Sequence, residues 1–146
     1  MDISVSAYTA GIVDGEGCIT IAKQKTARVR AGYIYQLKLQ VESTDKDLIT
    51  WLNSHWNRGS CGIQELVQTN TKHNTRWRTV WSSAKAATVL KAILPYLVIK
   101  KDQAELAIQF QDARGRERPR SVLGLTVDST YYNILKNMHQ KVYDHN

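Results

Sequence analysis

The chain is predicted to be an α+β protein, with helices packed on one antiparallel sheet. Three observations predict this. Two pairs of strand-like segments are separated by a helical segment, an order that favours antiparallel pairing within one sheet. Residues 33–43 alternate cleanly: Leu37, Leu39 and Val41 fall on one side, and Gln36, Lys38, Gln40 and Glu42 on the other. That period of two marks a half-buried strand. The 146 residues are 42% apolar, enough for a single domain with its own core. We expect a core over 4–112, followed by a basic linker and a C-terminal helix over 113–146.

The elements follow in order. Residues 4–16 predict a helix, with Ser4 or Ser6 as N-cap and Val5, Tyr8 and Ile12 at helical spacing. Residues 17–25 predict a strand through Cys18-Ile19-Thr20-Ile21-Ala22, and 26–32 a basic turn carrying Arg28 and Arg30. After the alternating strand, Thr44 or Asp45 caps a helix over 45–57 that turns Leu48, Trp51, Leu52 and Trp56 inward. Residues 60–68 and 75–82 predict a hairpin with a polar loop, and 83–94 a helix stopped by Pro95. Two further helices are expected, over 99–111 and over about 128–142, joined by the basic segment 112–120. Tyr131, Tyr132, Ile134, Leu135 and Met138 are expected to pack on the last of them.

Lys and Arg number 20 against 13 Asp and Glu, a net charge of +7 that attracts polyanions. Cys18 and Cys61 form neither a C-x-x-C pair nor a zinc spacing and are read as reduced thiols. No apolar run approaches the ~20 residues of a membrane span, and the N-terminus lacks the pattern of a signal peptide. An intracellular, soluble protein is expected. The histidines His55, His73, His139 and His145 are scattered and receive no role. No glycine-rich phosphate loop is present.

The informative stretch is Ala10-Gly11-Ile12-Val13-Asp14-Gly15-Glu16-Gly17. Ala7, Gly11 and Gly15 recur every fourth residue and leave one helix flank almost bare. Glycine inside a helix costs about 1 kcal/mol relative to alanine. Two on one flank therefore point to close backbone packing against another helix, most simply a second copy. Asp14 and Glu16 stand at the negative end of the helix dipole, where a hard divalent cation would compensate them. Gly17 is a helix stop able to take a positive φ.

This octapeptide resembles the LAGLIDADG motif of homing endonucleases. Thr9 stands at a position that is normally leucine, and Glu16 replaces the more usual final aspartate. Residues 93–106 resemble the second recognisable block of the family, in which a basic residue follows a Pro-aromatic-Leu turn, here Pro95-Tyr96-Leu97. The resemblance spans residues 4–112. It implies an αββαββα fold with a DNA-binding antiparallel saddle and C-terminal helices. One motif per chain implies a homodimer, with Glu16 binding the catalytic Mg²⁺ and Mn²⁺ or Ca²⁺ able to substitute in binding. Asp14 either orients the helix end or joins the metal site. Lys100 falls at the catalytic basic position, with Lys101 as its rival. Asp45 falls near a polar position that holds solvent, although it can equally cap the following helix.

The resemblance also places the open sheet face along the DNA major groove. Gln36, Lys38, Gln40 and Glu42 are then candidate base readers, since Gln suits adenine, Lys guanine, and Glu accepts from cytosine. Thr20 and Gln24 extend this face on the first strand, and Gln64, Gln68, Arg76 and Arg78 on the second hairpin. Trp77 and Trp81 are expected in the core unless the strand register slips by one. Arg28, Arg30, Arg114 and Arg116, with Arg118 and Arg120, are candidate phosphate contacts that position without reading sequence. The implied activity is hydrolysis of both strands of a long, near-palindromic duplex. The alternatives are a non-cleaving DNA-binding regulator of the same fold and an intron RNA maturase.

Overall fold

The computed structural model describes residues 2–56, 62–67, 75–114 and 122–144. Helix α1 (Ile3–Glu16) runs directly into strand β1 (Gly17–Lys25), which turns back into β2 (Tyr33–Ser43). Helix α2 (Lys46–His55) leads to β3 (Ile63–Leu66) and β4 (Arg76–Ser82). Then come α3 (Ser83–Ile93), a short 3₁₀ turn (Leu94–Tyr96), α4 (Lys101–Arg114) and α5 (Val122–Asp144). The strands form one antiparallel sheet in the order β1-β2-β4-β3. Among the described residues no helix is long and apolar enough to cross a membrane.

The alternation along β2 sets the layers. Tyr35, Leu37, Leu39 and Val41 are buried against the helices, and the intervening polar residues lie on the opposite face. The core gathers Ala10 and Val13 of α1, Ile19 and Ile21 of β1, Trp81 of β4, and residues from α2 to α5. Trp81 is fully buried and Trp77 packs beside this core, so the hairpin register is the one that leaves Arg76 and Arg78 on the outer face.

Several boundaries differ from expectation. The α1 cap is Asp2, whose carboxylate accepts from the Ser4 amide at 2.8 Å, while Ser6 is buried. α5 begins six residues before the expected Asp128, so that residue lies inside the helix and is buried. Tyr131, Tyr132, Leu135 and Met138 pack inward as expected, but Ile134 is exposed.

The departure of Thr9 from the motif has a physical reason. Its buried hydroxyl donates to the Val5 carbonyl at 2.7 Å and accepts from the Trp56 indole N–H at 3.0 Å. A leucine there would strand a buried indole donor. Thr9→Val keeps the shape but removes the acceptor, and should lower stability by about 1–3 kcal/mol in a denaturant titration. Adding Trp56→Phe should recover part of that loss; strictly additive losses would show the two groups to be uncoupled.

Candidate active site

α1 passes into β1 with no intervening loop, which fixes the position of the motif's last residues. Gly17 has φ −82° and ψ 158°, open to any residue, so the expected positive φ is not why glycine stands there. The reason is space: a Cβ would lie 2.8 Å from Val13 Cα and 2.9 Å from its carbonyl oxygen. The last turn of α1 holds no basic residue of its own. Lys100 supplies the cation from 83 residues away, its Nζ donating to the Val13 carbonyl at 3.0 Å and to the Gly17 carbonyl. This satisfies a helix C-terminus in both hydrogen bonding and charge. Burial pushes the Lys100 ammonium below its usual pKa, with Cys18 and Asp14 opposing the shift.

Asp14 ties the same two segments together. Its Oδ2 accepts from the Val98 amide at 2.8 Å, and its Oδ1 from the amides of Ile99 at 3.2 Å and Lys100 at 3.0 Å. The turn leading into α4 is thereby fastened to the motif helix. Glu16 is exposed, and among the described residues no hydrogen bond or ion pair holds its carboxylate. It precedes the glycine whose carbonyl Lys100 grips. Among the described residues no three His, Cys, Asp or Glu side chains cluster as a metal site. Among the described residues, the end of α1 therefore offers the free carboxylate of Glu16 beside a helix terminus to which the Lys100 ammonium is fixed.

The outer flank of α1 is bare. Ala7, Gly11 and Gly15 are exposed, and a Cβ built at either glycine meets nothing within 4 Å. Tyr8 on this flank is 55% exposed and packs edge-on to Trp51 at 4.9 Å. On the inner side a cavity of about 350 Å³ opens behind Lys100, lined also by Asp14, Cys18, Gln103 and His139.

The open sheet face carries polar residues in rows across the strands. Thr20, Lys38 and Ser82 form one row, Cys18, Gln40 and Val80 the next. Glu42, Arg78 and Gln64 form the row nearest the end of α1, because Gly17 pairs with Val41. Gln36 lies opposite Ala22 and donates to the Ser83 hydroxyl at 3.3 Å, and Gln24 lies opposite Ile34. Glu42 was expected to meet a base directly. Its Oε1 instead accepts from Arg78 Nε at 2.7 Å, from Arg78 Nη2 and from Gln40 Nε2 at 2.8 Å, with Arg76 Nε 3.7 Å from Oε2. Glu42 is thus a buttress that sets the direction of two arginines and a glutamine.

The remaining candidates divide. Arg28 and Arg30 are exposed in the turn closed by the Thr26 amide and the Gly32 carbonyl at 2.9 Å, at the end of the sheet away from α1. Lys101 is exposed in the first turn of α4. Asp45 caps α2, accepting from the Asp47 amide at 2.9 Å, so its carboxylate is engaged in the helix start. Arg114 does not reach outward for phosphate. It donates to the Tyr35 carbonyl, lies 3.7 Å from Asp128 and stacks over Phe110, with only 15% of its side chain exposed. Burial pushes the Asp128 carboxyl pKa up, and Arg114 works against that rise. Gln68, Arg116, Arg118 and Arg120 lie outside the described residues. Three residues that carry no functional signal in the sequence also line the site: Cys18, Gln103 and His139. The alternation of β1 would have placed Cys18 on the face with Thr20. His139 follows Tyr132 and Leu135 at helical spacing, but its distance in sequence from the motif hides its position.

Comparison with known proteins accords with this geometry. The family model for the LAGLIDADG endonuclease matches residues 9–109. Among solved structures, the homing endonuclease I-CvuI in complex with its target in the presence of Ca superposes with a TM-score of 0.79 at 18% identity, over 93% of this chain and 82% of that one. An archaeal intron-encoded homing endonuclease complexed with DNA gives a TM-score of 0.76 at 14% identity, over 92% of this chain and 84% of the other. The meganuclease I-SmaMI bound to uncleavable DNA gives 0.74 at 15% identity; 88% of this chain covers 43% of that larger protein. No curated protein sequence matches the chain. The matched segment takes in the motif end of α1 and the turn that its Asp14 fastens, and the chain belongs to the LAGLIDADG endonuclease family.

Proposed function

We propose that two copies of this chain form a symmetric, site-specific DNA endonuclease that hydrolyses both strands of a long, near-palindromic duplex with a divalent cation. The observation that carries this reading is the exposed Glu16 carboxylate, unpaired among the described residues and one residue from the carbonyl held by Lys100, on a helix whose outer flank is bare. Relatives of the same fold are named in complex with DNA, and this chain spans less than half of I-SmaMI, as one half of a paired architecture would. A two-fold pair predicts a two-fold target.

One exposed carboxylate at the end of α1, Glu16, fits a hard cation that keeps several waters and takes phosphate oxygens, the habit of Mg²⁺, with Mn²⁺ or Ca²⁺ as substitutes for binding. Glu16 is the residue that would hold it, joined by the Glu16 of the second copy. When bound, such a cation neutralises the scissile phosphate and lowers the pKa of water at the site. Asp14, with both oxygens engaged by amides, is assigned an orienting role rather than a place among the ligands. Lys100 presents a positive charge fixed by two carbonyls, suited to the charge that builds on a pentacoordinate phosphate. On the sheet face, Arg76 and Arg78 held by Glu42 suit guanine edges, and Thr20, Gln24, Gln36, Lys38, Gln40 and Gln64 extend the reading surface. Arg28, Arg30 and Lys101 are exposed for phosphate contacts.

Glu16→Gln should reduce cleavage of a cognate duplex by about a thousandfold, the scale of losing a charge-stabilising group, while leaving a gel shift in place. Retained cutting would remove Glu16 from the metal site. Gly11→Leu meets no clash within one chain, so the fold should persist while sedimentation reports monomer. An unchanged dimer would show that this flank faces elsewhere.

A further inference from the structure

Helix α5 lies beyond the segment matched by the family, 9–109, yet it reaches the site. Its inward stripe runs Asp128, Tyr132, Leu135 and His139, with Leu135 only 1% exposed. Among the described residues, His139 is the α5 residue lining the cavity behind Lys100, whose other walls come from α1, β1, the turn before α4 and α4 itself. It also lines a second cavity of about 200 Å³, with Thr20, Leu135 and Lys136. Its ring is hydrogen-bonded to the Ile19 backbone, which anchors it to β1. Gln103, 6% exposed, and the fully buried Ile19 form the inner wall of this half-open cavity, while Ile99, 65% exposed, stands at its rim and leaves Lys100 half-buried.

We propose that His139 is a positioning residue that walls the cavity behind Lys100 and holds its ammonium against the end of α1. The proposal deepens the endonuclease reading and rests on it for the catalytic role of Lys100. The groups facing His139 are Lys100, Cys18 and Asp14 across the cavity, and Tyr132 and Lys136 on its own helix. The negative charge among them, Asp14, is already engaged by three amides. Burial lowers the His139 pKa, the bond to Ile19 opposes that shift, and Lys100 adds to it. The imidazole is therefore neutral at neutral pH. Acidification places a second cation in the cavity, and the repulsion falls on Lys100.

The test uses the full chain with His139→Ala and His139→Gln, the latter keeping a donor for Ile19. In the free protein, NMR titration of Lys100 should move up by about half a pH unit or more in His139→Ala, as loss of the ring leaves the half-buried ammonium more exposed. With Mg²⁺ and cognate duplex, His139→Ala should cleave about tenfold more slowly at unchanged affinity. His139→Gln should cleave close to the wild-type rate at pH 8 and lack the wild-type fall in rate on the acid side. An unmoved Lys100 titration in His139→Ala, or a wild-type acid limb in His139→Gln, would overturn the proposal. A native chain that cuts no duplex would instead count against the endonuclease reading, because the Lys100 titration is read without DNA.

Discussion

The structure hinges on the Asp14 carboxylate and the three amides of Val98, Ile99 and Lys100 that it accepts from. These bonds join residues 84 to 86 apart in sequence. They bring a cationic side chain to a helix end that has no cation of its own. Without them the Lys100 ammonium would have no fixed reason to meet the carbonyls of Val13 and Gly17. The C-terminus of α1 would then keep its negative end beside Glu16 uncompensated. The close approach of Gly17 to Val13 completes the junction, because it lets strand follow helix without a loop that could blur the placement of Glu16. Charge-assisted bonds to a carboxylate are among the stronger ones available at a partly exposed site. Here they set geometry before any ligand arrives.

The other surfaces follow from that junction. The helix end it stabilises stands at one end of the sheet, so the row holding Glu42, Arg78 and Gln64 is the one closest to the motif. The arginines there are pre-oriented by Glu42, which would reduce the side-chain entropy lost in the proposed contact with a base edge. The bare flank of α1 leaves a helix with apolar residues on both sides, Val13 buried within and Tyr8 exposed without. A helix apolar all round is stable in water only when something covers its second side. In the proposed dimer a second copy would do so, with the geometry that small residues allow.

Much of this was legible in the sequence because it rests on local periodicity. The two-residue alternation of β2 gave its faces, and the four-residue spacing of Ala7, Gly11 and Gly15 gave the exposed stripe. Pro95 ended α3 close to where it was expected. What escaped depends on long-range partners. Thr9 reads as an imperfect motif residue until Trp56 is seen donating to it. Arg114 reads as one more basic residue in a basic run until Asp128 and the Tyr35 carbonyl are found around it. Glu42 reads as a base reader because only the paired strand reveals Arg78 across from it. Asp45 reads equally as a solvent-holding residue or a cap, and its bond to the Asp47 amide places it at the start of α2. His139 carries no signal at all until α5 is folded against β1.

The most direct measurement is the anomalous scattering of Mn²⁺ in a crystal of the protein with a cognate duplex. The account predicts metal at the Glu16 carboxylates of two symmetry-related copies, next to the scissile phosphates, with Asp14 still bound to the amides of Val98, Ile99 and Lys100. Metal ligated by Asp14, or Glu16 side chains far apart and turned from the DNA, would contradict it.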